Sequence, residues 1–168
     1  MQDLYAPWRS SYAKSTDKSK QETTTSQECI FCKFINENQD DKNFILKRYH
    51  HCFVILNTYP YNAGHLMVIP FAHAKDLKTL DAPTRQEIAE VMSFCATLLE
   101  QILHAQGMNI GLNLGRIGGA GIPTHLHWHI LPRWQGDTNF LPLLANTTVI
   151  SFNLQEIFDL LKPAFNNQ

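Results

Sequence analysis

The sequence predicts an α+β domain built on a mainly antiparallel sheet, and three features point to it. First, Phe44–Lys47, Cys52–Leu56 and His65–Pro70 are short runs rich in β-branched and aromatic residues. Second, the last two are joined by a stretch holding Asn57, Pro60, Asn62 and Gly64, a set of turn formers, so they read as a β-hairpin with a long loop. Third, Ile88, Val91, Met92, Cys95, Leu98, Leu99, Ile102 and Leu103 repeat at helical spacing, with Asp81 and Pro83 at the start and Gly107 at the stop. Strands gathered around one long helix through hairpin-like joins imply antiparallel neighbours.

The other elements follow in chain order. Met1 to Tyr12 carries Leu4, Tyr5, Trp8 and Tyr12, enough apolar area for an arm that docks on the body (1–12). Residues 13–28 are polar and low in complexity, which predicts a linker ahead of a domain over 29–168. Cys29 to Ile35 reads as a short helical turn carrying two cysteines. Asn109–Leu114 reads as a strand, followed by a glycine-rich segment from Gly115 to Gly121, a strand His125–Leu131 and another at Thr148–Phe152. Asn153 and Glu156 form a capping pair for a last helix built on Ile157, Leu160 and Leu161 and ended by Pro163. Cys95 falls on the apolar stripe of the long helix and is read as core.

Composition narrows the class. With 168 residues, 44% hydrophobic and 17% charged, the chain is globular and long enough for one cored domain. A net charge of -1 argues against a nucleic-acid binder that relies on a basic field and gives no polybasic footprint for a membrane. No apolar run is long enough to span a bilayer, and Asp3, Pro7 and Arg9 interrupt any signal-like stretch, so a cytoplasmic protein is expected.

The chemistry concentrates at Thr124-His125-Leu126-His127-Trp128-His129. On a strand the three imidazoles would share one face at roughly 6.5–7 Å spacing, with Leu126, Trp128 and Ile130 turned to the core. Each imidazole needs a hydrogen-bond partner or a metal, so a row of three is an unusual core motif. Two readings stand: a three-histidine metal centre, or a nucleophilic histidine with supporting neighbours. Straight-strand ligands converge poorly on one tetrahedral ion. Imidazole, by contrast, attacks phosphorus well as the free base near neutral pH. The glycines of Gly115-Arg116-Ile117-Gly118-Gly119-Ala120-Gly121 let main-chain N–H groups approach an anion, which favours phosphorus. Cys29 and Cys32 have zinc-knuckle spacing but are a single pair, so a closed site needs two more donors from His50, His51, His65, His73, His104 or the row; a redox pair is the competing reading.

His125-Leu126-His127-Trp128-His129-Ile130-Leu131 resembles the signature of the histidine triad (HIT) family. Leu4 to Arg9 and Pro132 to Phe140 resemble its bacterial diadenosine tetraphosphate phosphorylase-like branch. The resemblance implies a HIT-like fold, a mainly antiparallel five-stranded sheet with one long helix and short helices. It implies a nucleotidyltransferase or hydrolase acting on dinucleoside polyphosphates. His127 would be the nucleophile, His129 the partner of the phosphoryl and leaving oxygens, and His125 a support. Cys29, Cys32, His73 and His125 would hold a structural zinc. Asn57 would grip the ribose, Phe31, Phe34 and Ile55 would wall the base, and Asn113 would face the phosphates; core and turn packing compete for the wall residues. Many family hydrolases carry a Gln shortly before the triad, and Gly119 to Thr124 has none, so the N–H groups of Gly119 and Gly121 or the hydroxyl of Thr124 would substitute. The phosphorylase-like branch has a similar glycine-rich stretch, so the resemblance implies inorganic phosphate rather than water as acceptor. Cleavage of a nucleoside phosphoramidate and a non-catalytic nucleotide-binding scaffold are the alternatives. A homodimer, and neither nucleic acid nor membrane as partner, complete the expectation.

Overall fold

A computed structural model describes residues 29–37, 39–137 and 153–166. The chain forms α1 (Ile30–Asn36), β1 (Ile45–Arg48), β2 (Cys52–Leu56), β3 (Leu66–Pro70), a 3-10 turn (Leu77–Thr79), α2 (Ala82–Leu103), β4 (Gly107–Leu112), β5 (Trp128–Arg133) and α3 (Leu154–Asn166). The strands make one five-stranded sheet in the order β1-β2-β3-β5-β4, every neighbouring pair antiparallel. The α+β architecture and the β2–β3 hairpin are as the sequence predicts. The expected arm, linker and Thr148–Phe152 strand lie outside the described residues.

Alternation along the central strands divides the sheet into two faces. Cys52, Val54, Leu56, Leu66, Val68 and Ile130 belong to the larger core beneath α2 and α3, which adds Ile88, Val91, Cys95, Leu99, Leu161 and Phe165. Phe53, Ile55, Met67 and Ile69 point the other way, to a smaller core closed by Phe31 and the cysteines Cys29 and Cys32. Both faces are covered, so β2 and β3 are buried along their whole length. Cys95 is fully buried, as its place on the stripe requires.

Helix ends follow local chemistry, with two differences from the sequence reading. Asp81 caps α2 by accepting from the Thr84 N–H at 2.9 Å, and Pro83 sits in the first turn. The helix stops at Leu103, ahead of Gly107, because His104 takes the left-handed conformation (φ 52°) and Gly107 is already the first residue of β4. Asn153 and Glu156 cap α3 reciprocally, at 2.8 and 3.3 Å. Pro163 does not end it. Pro163 lies on the exposed side, while Phe165, fully buried and edge-on to Phe94 at 5.4 Å, carries the helix one turn further.

The short α1 is held by β1. The Arg48 guanidinium donates to the carbonyls of Phe34, Ile35 and Glu37 and to the carboxylate of Asp40, so it satisfies the helix's open C-terminal end. On the far side of the sheet, Gly64 turns the hairpin at φ +72°, where a Cβ would stand 2.5 Å from the Leu103 side chain. Gly64→Ala is therefore expected to destabilise the fold by about 1–3 kcal/mol through left-handed strain and overpacking. A urea midpoint that stays where it was would show that the turn relaxes freely.

Candidate active site

The histidine segment begins ahead of β5, outside regular secondary structure. The strand itself starts at Trp128 and runs to Arg133, later than the expected His125–Leu131, because regular pairing with β3 begins at Trp128 opposite Val68. Before it, the Leu126 N–H donates to the Ala74 carbonyl at 2.8 Å. Leu126 and Ile130 enter the larger core, with Trp128 packed against it. The imidazoles take the opposite face: Phe31 lies edge-on to His125 at 5.5 Å and tilted against His127 at 5.3 Å, and the rings of His127 and His129 are 5.0 Å apart.

Main-chain groups fix where each proton sits. His127 Nδ1 lies 2.8 Å from the carbonyl oxygen of His125, two residues earlier. A carbonyl only accepts, so Nδ1 carries the hydrogen and Nε2 keeps its lone pair. His125 Nε2 lies 2.9 Å from the Pro70 carbonyl, which leaves His125 Nδ1 with the lone pair. The third ring is set at second hand. The Tyr61 N–H donates to His65 Nδ1 at 3.2 Å, so His65 Nε2 bears the proton and donates to His129 Nδ1 at 2.9 Å. His129 Nε2 is thereby the N–H, and it is buried with no partner among the described residues. A free base on His127 thus stands beside an unused donor on His129.

Burial keeps these rings neutral. Desolvation comes first for all of them, and it pushes His65, His125 and His129 down to about 4 and His127 below its usual value. The carbonyl bond to His127 works against that shift by favouring the protonated ring.

His127 and His129 open into a cavity of about 330 Å3 whose lining includes Phe31, Phe34, Ile55, Asn57 and Gly121. The structure thus gathers the expected apolar wall and ribose position around the expected nucleophile. Asn57 also serves its turn, accepting from the Tyr59 N–H at 2.9 Å while its amide nitrogen faces His65 at 3.3 Å. Asn113, Gly119 and Thr124 are not in that lining. Asn113 donates to the Gly119 carbonyl at 3.4 Å, tying the end of β4 to the glycine-rich loop, and the Thr124 hydroxyl is buried without a partner among the described residues. Tyr61, Met67 and Ile122 also line the cavity, and nothing in their spacing marks them beyond hydrophobic character. Trp134 packs against the larger core and donates to the Leu103 carbonyl at 3.1 Å, which places it in the scaffold.

On the other side of Phe31, Cys29, Cys32, His73 and His125 meet with their ligand atoms all within 4.8 Å of one another. The Sγ to Nδ1 separations are 3.2 Å for Cys32–His73, 3.4 Å for Cys29–His125 and 3.6 Å for Cys32–His125. These match the edges of a tetrahedron with metal–sulfur and metal–nitrogen bonds of roughly 2.3 and 2.0–2.1 Å. The donor set fits zinc, and His125 offers the nitrogen that the Pro70 carbonyl leaves free. Without a cation, burial and the Cys29 sulfur push the Cys32 thiol up to about 11.

The low values at His65 and His129 set a pH dependence. In the unfolded chain both protonate near 6.5, and in the folded chain near 4. Between those values the unfolded state binds more protons, so stability is full above about 6.5 and falls as pH drops towards 4. His65→Asn should flatten that slope in urea denaturation followed from pH 7 to 4.5. An unchanged slope would place the pH dependence on other groups.

Comparison with known proteins agrees with this geometry. The family model for the HIT domain matches residues 37–136. The chain is 31% identical over 171 aligned positions to an AP-4-A phosphorylase of Mycobacterium tuberculosis, covering all of this chain and 86% of that one. Among solved structures, a zinc-bound histidine triad family protein from Mycobacterium smegmatis aligns with a TM-score of 0.68 at 27% identity, over 85% of this chain and 96% of that one. A Plasmodium falciparum diadenosine triphosphate hydrolase shares the fold at a TM-score of 0.62 and 19% identity, over 76% and 79%. A triad whose protons are set by the surrounding main chain, on this sheet and with these relatives, places the chain in the HIT family.

Proposed function

We propose that the protein transfers a nucleotidyl group from a dinucleoside polyphosphate to inorganic phosphate through a covalent intermediate on His127. The observation that carries the reading is the complementary pair in the cavity: a lone pair on His127 Nε2 and an unpartnered N–H on His129 Nε2. A displacement at phosphorus needs that combination, a base-form nucleophile and a donor for the oxygen that takes up charge. The full-length similarity to an AP-4-A phosphorylase supports the substrate class.

In the first step the adenosine lies between Phe31, Phe34 and Ile55, with its ribose against Asn57. His127 Nε2 attacks the α-phosphorus in line. An N–P bond forms, the P–O bond to the remaining nucleoside triphosphate breaks, and His129 Nε2–H binds the departing oxygen. The imidazolium formed on His127 shares its Nδ1–H with the His125 carbonyl. In the second step a phosphate oxygen attacks, the N–P bond breaks, and a nucleoside diphosphate leaves with His127 restored. The glycines at 119 and 121 and the unpartnered hydroxyl of Thr124 are the groups assigned to the incoming phosphate. Catalysis here is positioning and charge stabilisation, which a rigid strand supplies.

The same reading gives Cys29, Cys32, His73 and His125 a structural zinc, since all four positions are filled by protein. When bound, zinc ties α1 to the histidine segment and draws the thiols into the thiolate form. Cys29, Cys32, Cys52 and Cys95 are free thiols, in keeping with a reducing, cytoplasmic setting. Among the described residues no helix is long and apolar enough to cross a membrane. β4 is an edge strand with Ile110 exposed, and a second copy paired there would complete a homodimer.

Diadenosine tetraphosphate incubated with and without phosphate, products separated by ion exchange, tests the reaction. ATP plus ADP only with phosphate, and nothing from His127→Ala, is expected. ATP plus AMP regardless of phosphate would make water the acceptor, and cleavage of adenosine phosphoramidate alone would move the substrate. Turnover undiminished in His127→Ala would end the covalent mechanism. For the metal, we expect about one zinc per chain, with Cys32→Ser or chelation lowering Tm by several degrees. Metal-free protein of unchanged Tm would remove zinc from the reading.

A further inference from the structure

A second concavity, of about 430 Å3, lies beside the histidine cavity. One wall is Lys75 to Lys78, and the other is Leu114 and Gly115 with Pro123. Pro123 directly follows Gly121 and Ile122, which line the first cavity, so the two concavities share one short turn of chain. The glycine-rich loop runs from the second at Gly115 to the first at Gly121.

The second concavity combines cationic and apolar lining. Neither Lys75 nor Lys78 has a hydrogen-bond or ion-pair partner among the described residues, so both ammonium groups are available, against a single acid in the lining, Asp76. Among the described residues Leu77 and Leu114 are large apolar side chains left exposed, at 40% and 49%, and they offer the concavity apolar surface. At Gly115, φ is +69° and nothing lies within 4 Å of where a Cβ would be, which leaves open main chain between the two. Paired cations beside apolar surface suit an anionic ligand that also carries an apolar face. The chain as a whole is slightly acidic, so these lysines are a local feature.

We infer that this groove is the subsite for the second nucleotide of the substrate, with Lys75 and Lys78 on its phosphates and Leu77 and Leu114 against its base. The inference rests on the dinucleoside polyphosphate reading above. It adds what that reading lacks, a reason for the chain to prefer two nucleosides over one. The substrate would cross the glycine-rich loop with its α-phosphorus at His127 and its distal half in the groove.

Binding to the His127→Ala protein tests this without turnover. By calorimetry, diadenosine tetraphosphate should bind about ten-fold or more tighter than AMP. Adding Lys75→Ala and Lys78→Ala should bring that advantage down to about two-fold, the statistical factor for a ligand with two equivalent ends. AMP affinity should be unchanged, and Lys→Arg at both positions should restore the difference. An advantage that survives loss of both lysines, or no advantage at all, overturns the subsite. A lysine-dependent advantage in a chain whose unaltered form yields no products would keep the subsite and sink the catalytic reading. Phosphorolysis with no such advantage would do the reverse.

Discussion

The tautomer of every imidazole around the cavity traces back to a main-chain group, and the chemistry depends on which nitrogen that leaves over. Carbonyls at Pro70 and His125 and the N–H at Tyr61 settle His125, His127 and His129 in turn. A neutral imidazole has one donor and one acceptor, so fixing one nitrogen fixes the other. His127 is left with a base and His129 with a donor. Had either ring been turned over, the cavity would hold two donors or two acceptors, and neither arrangement can both attack phosphorus and bind the oxygen that leaves it.

The scaffold serves that assignment. His65 reaches His129 only because Gly64 turns the β2–β3 loop tightly against Leu103 and Pro132. Asn62 holds the same loop to the end of β5, donating to the Pro132 carbonyl and to Asp137. Asp137 in turn receives two bonds from Arg133 and one from the Trp134 N–H. The Pro132 to Asp137 stretch is therefore a clasp on the loop that orients His129, and its part in the site is mechanical.

Much of this was legible in the sequence. The hairpin, the long helix, the row of histidines and the paired cysteines each rest on local pattern, and Phe31, Phe34, Ile55 and Asn57 do line the cavity with His127 and His129. The reach of β5 was not legible, because ladder pairing with Val68 sets it and the propensity of His125 to His127 does not. Pro163 does not end α3, contrary to its local propensity, for a similar reason: burial of Phe165 outweighs a missing N–H on an exposed helix face. His65 appeared only as one spare donor among several. Its role depends on a ring 64 residues away and on a main-chain N–H, and no spacing rule connects them.

His125 links the two halves of the site. Its imidazole stands among the sulfurs of Cys29 and Cys32, and its carbonyl oxygen holds the Nδ1–H of His127. Whatever fixes that ring against α1 also fixes the peptide plane that orients His127, the residue proposed as nucleophile. Arg48 gathers the C-terminal carbonyls of α1, so the helix that brings the cysteines is anchored at its other end to β1. A filled cysteine–histidine cluster would then stiffen the His127 ring through one residue's main chain, with no metal contact to that ring. The cluster therefore bears on how His127 is held, while the protons on His127 and His129 are assigned by main-chain groups outside it.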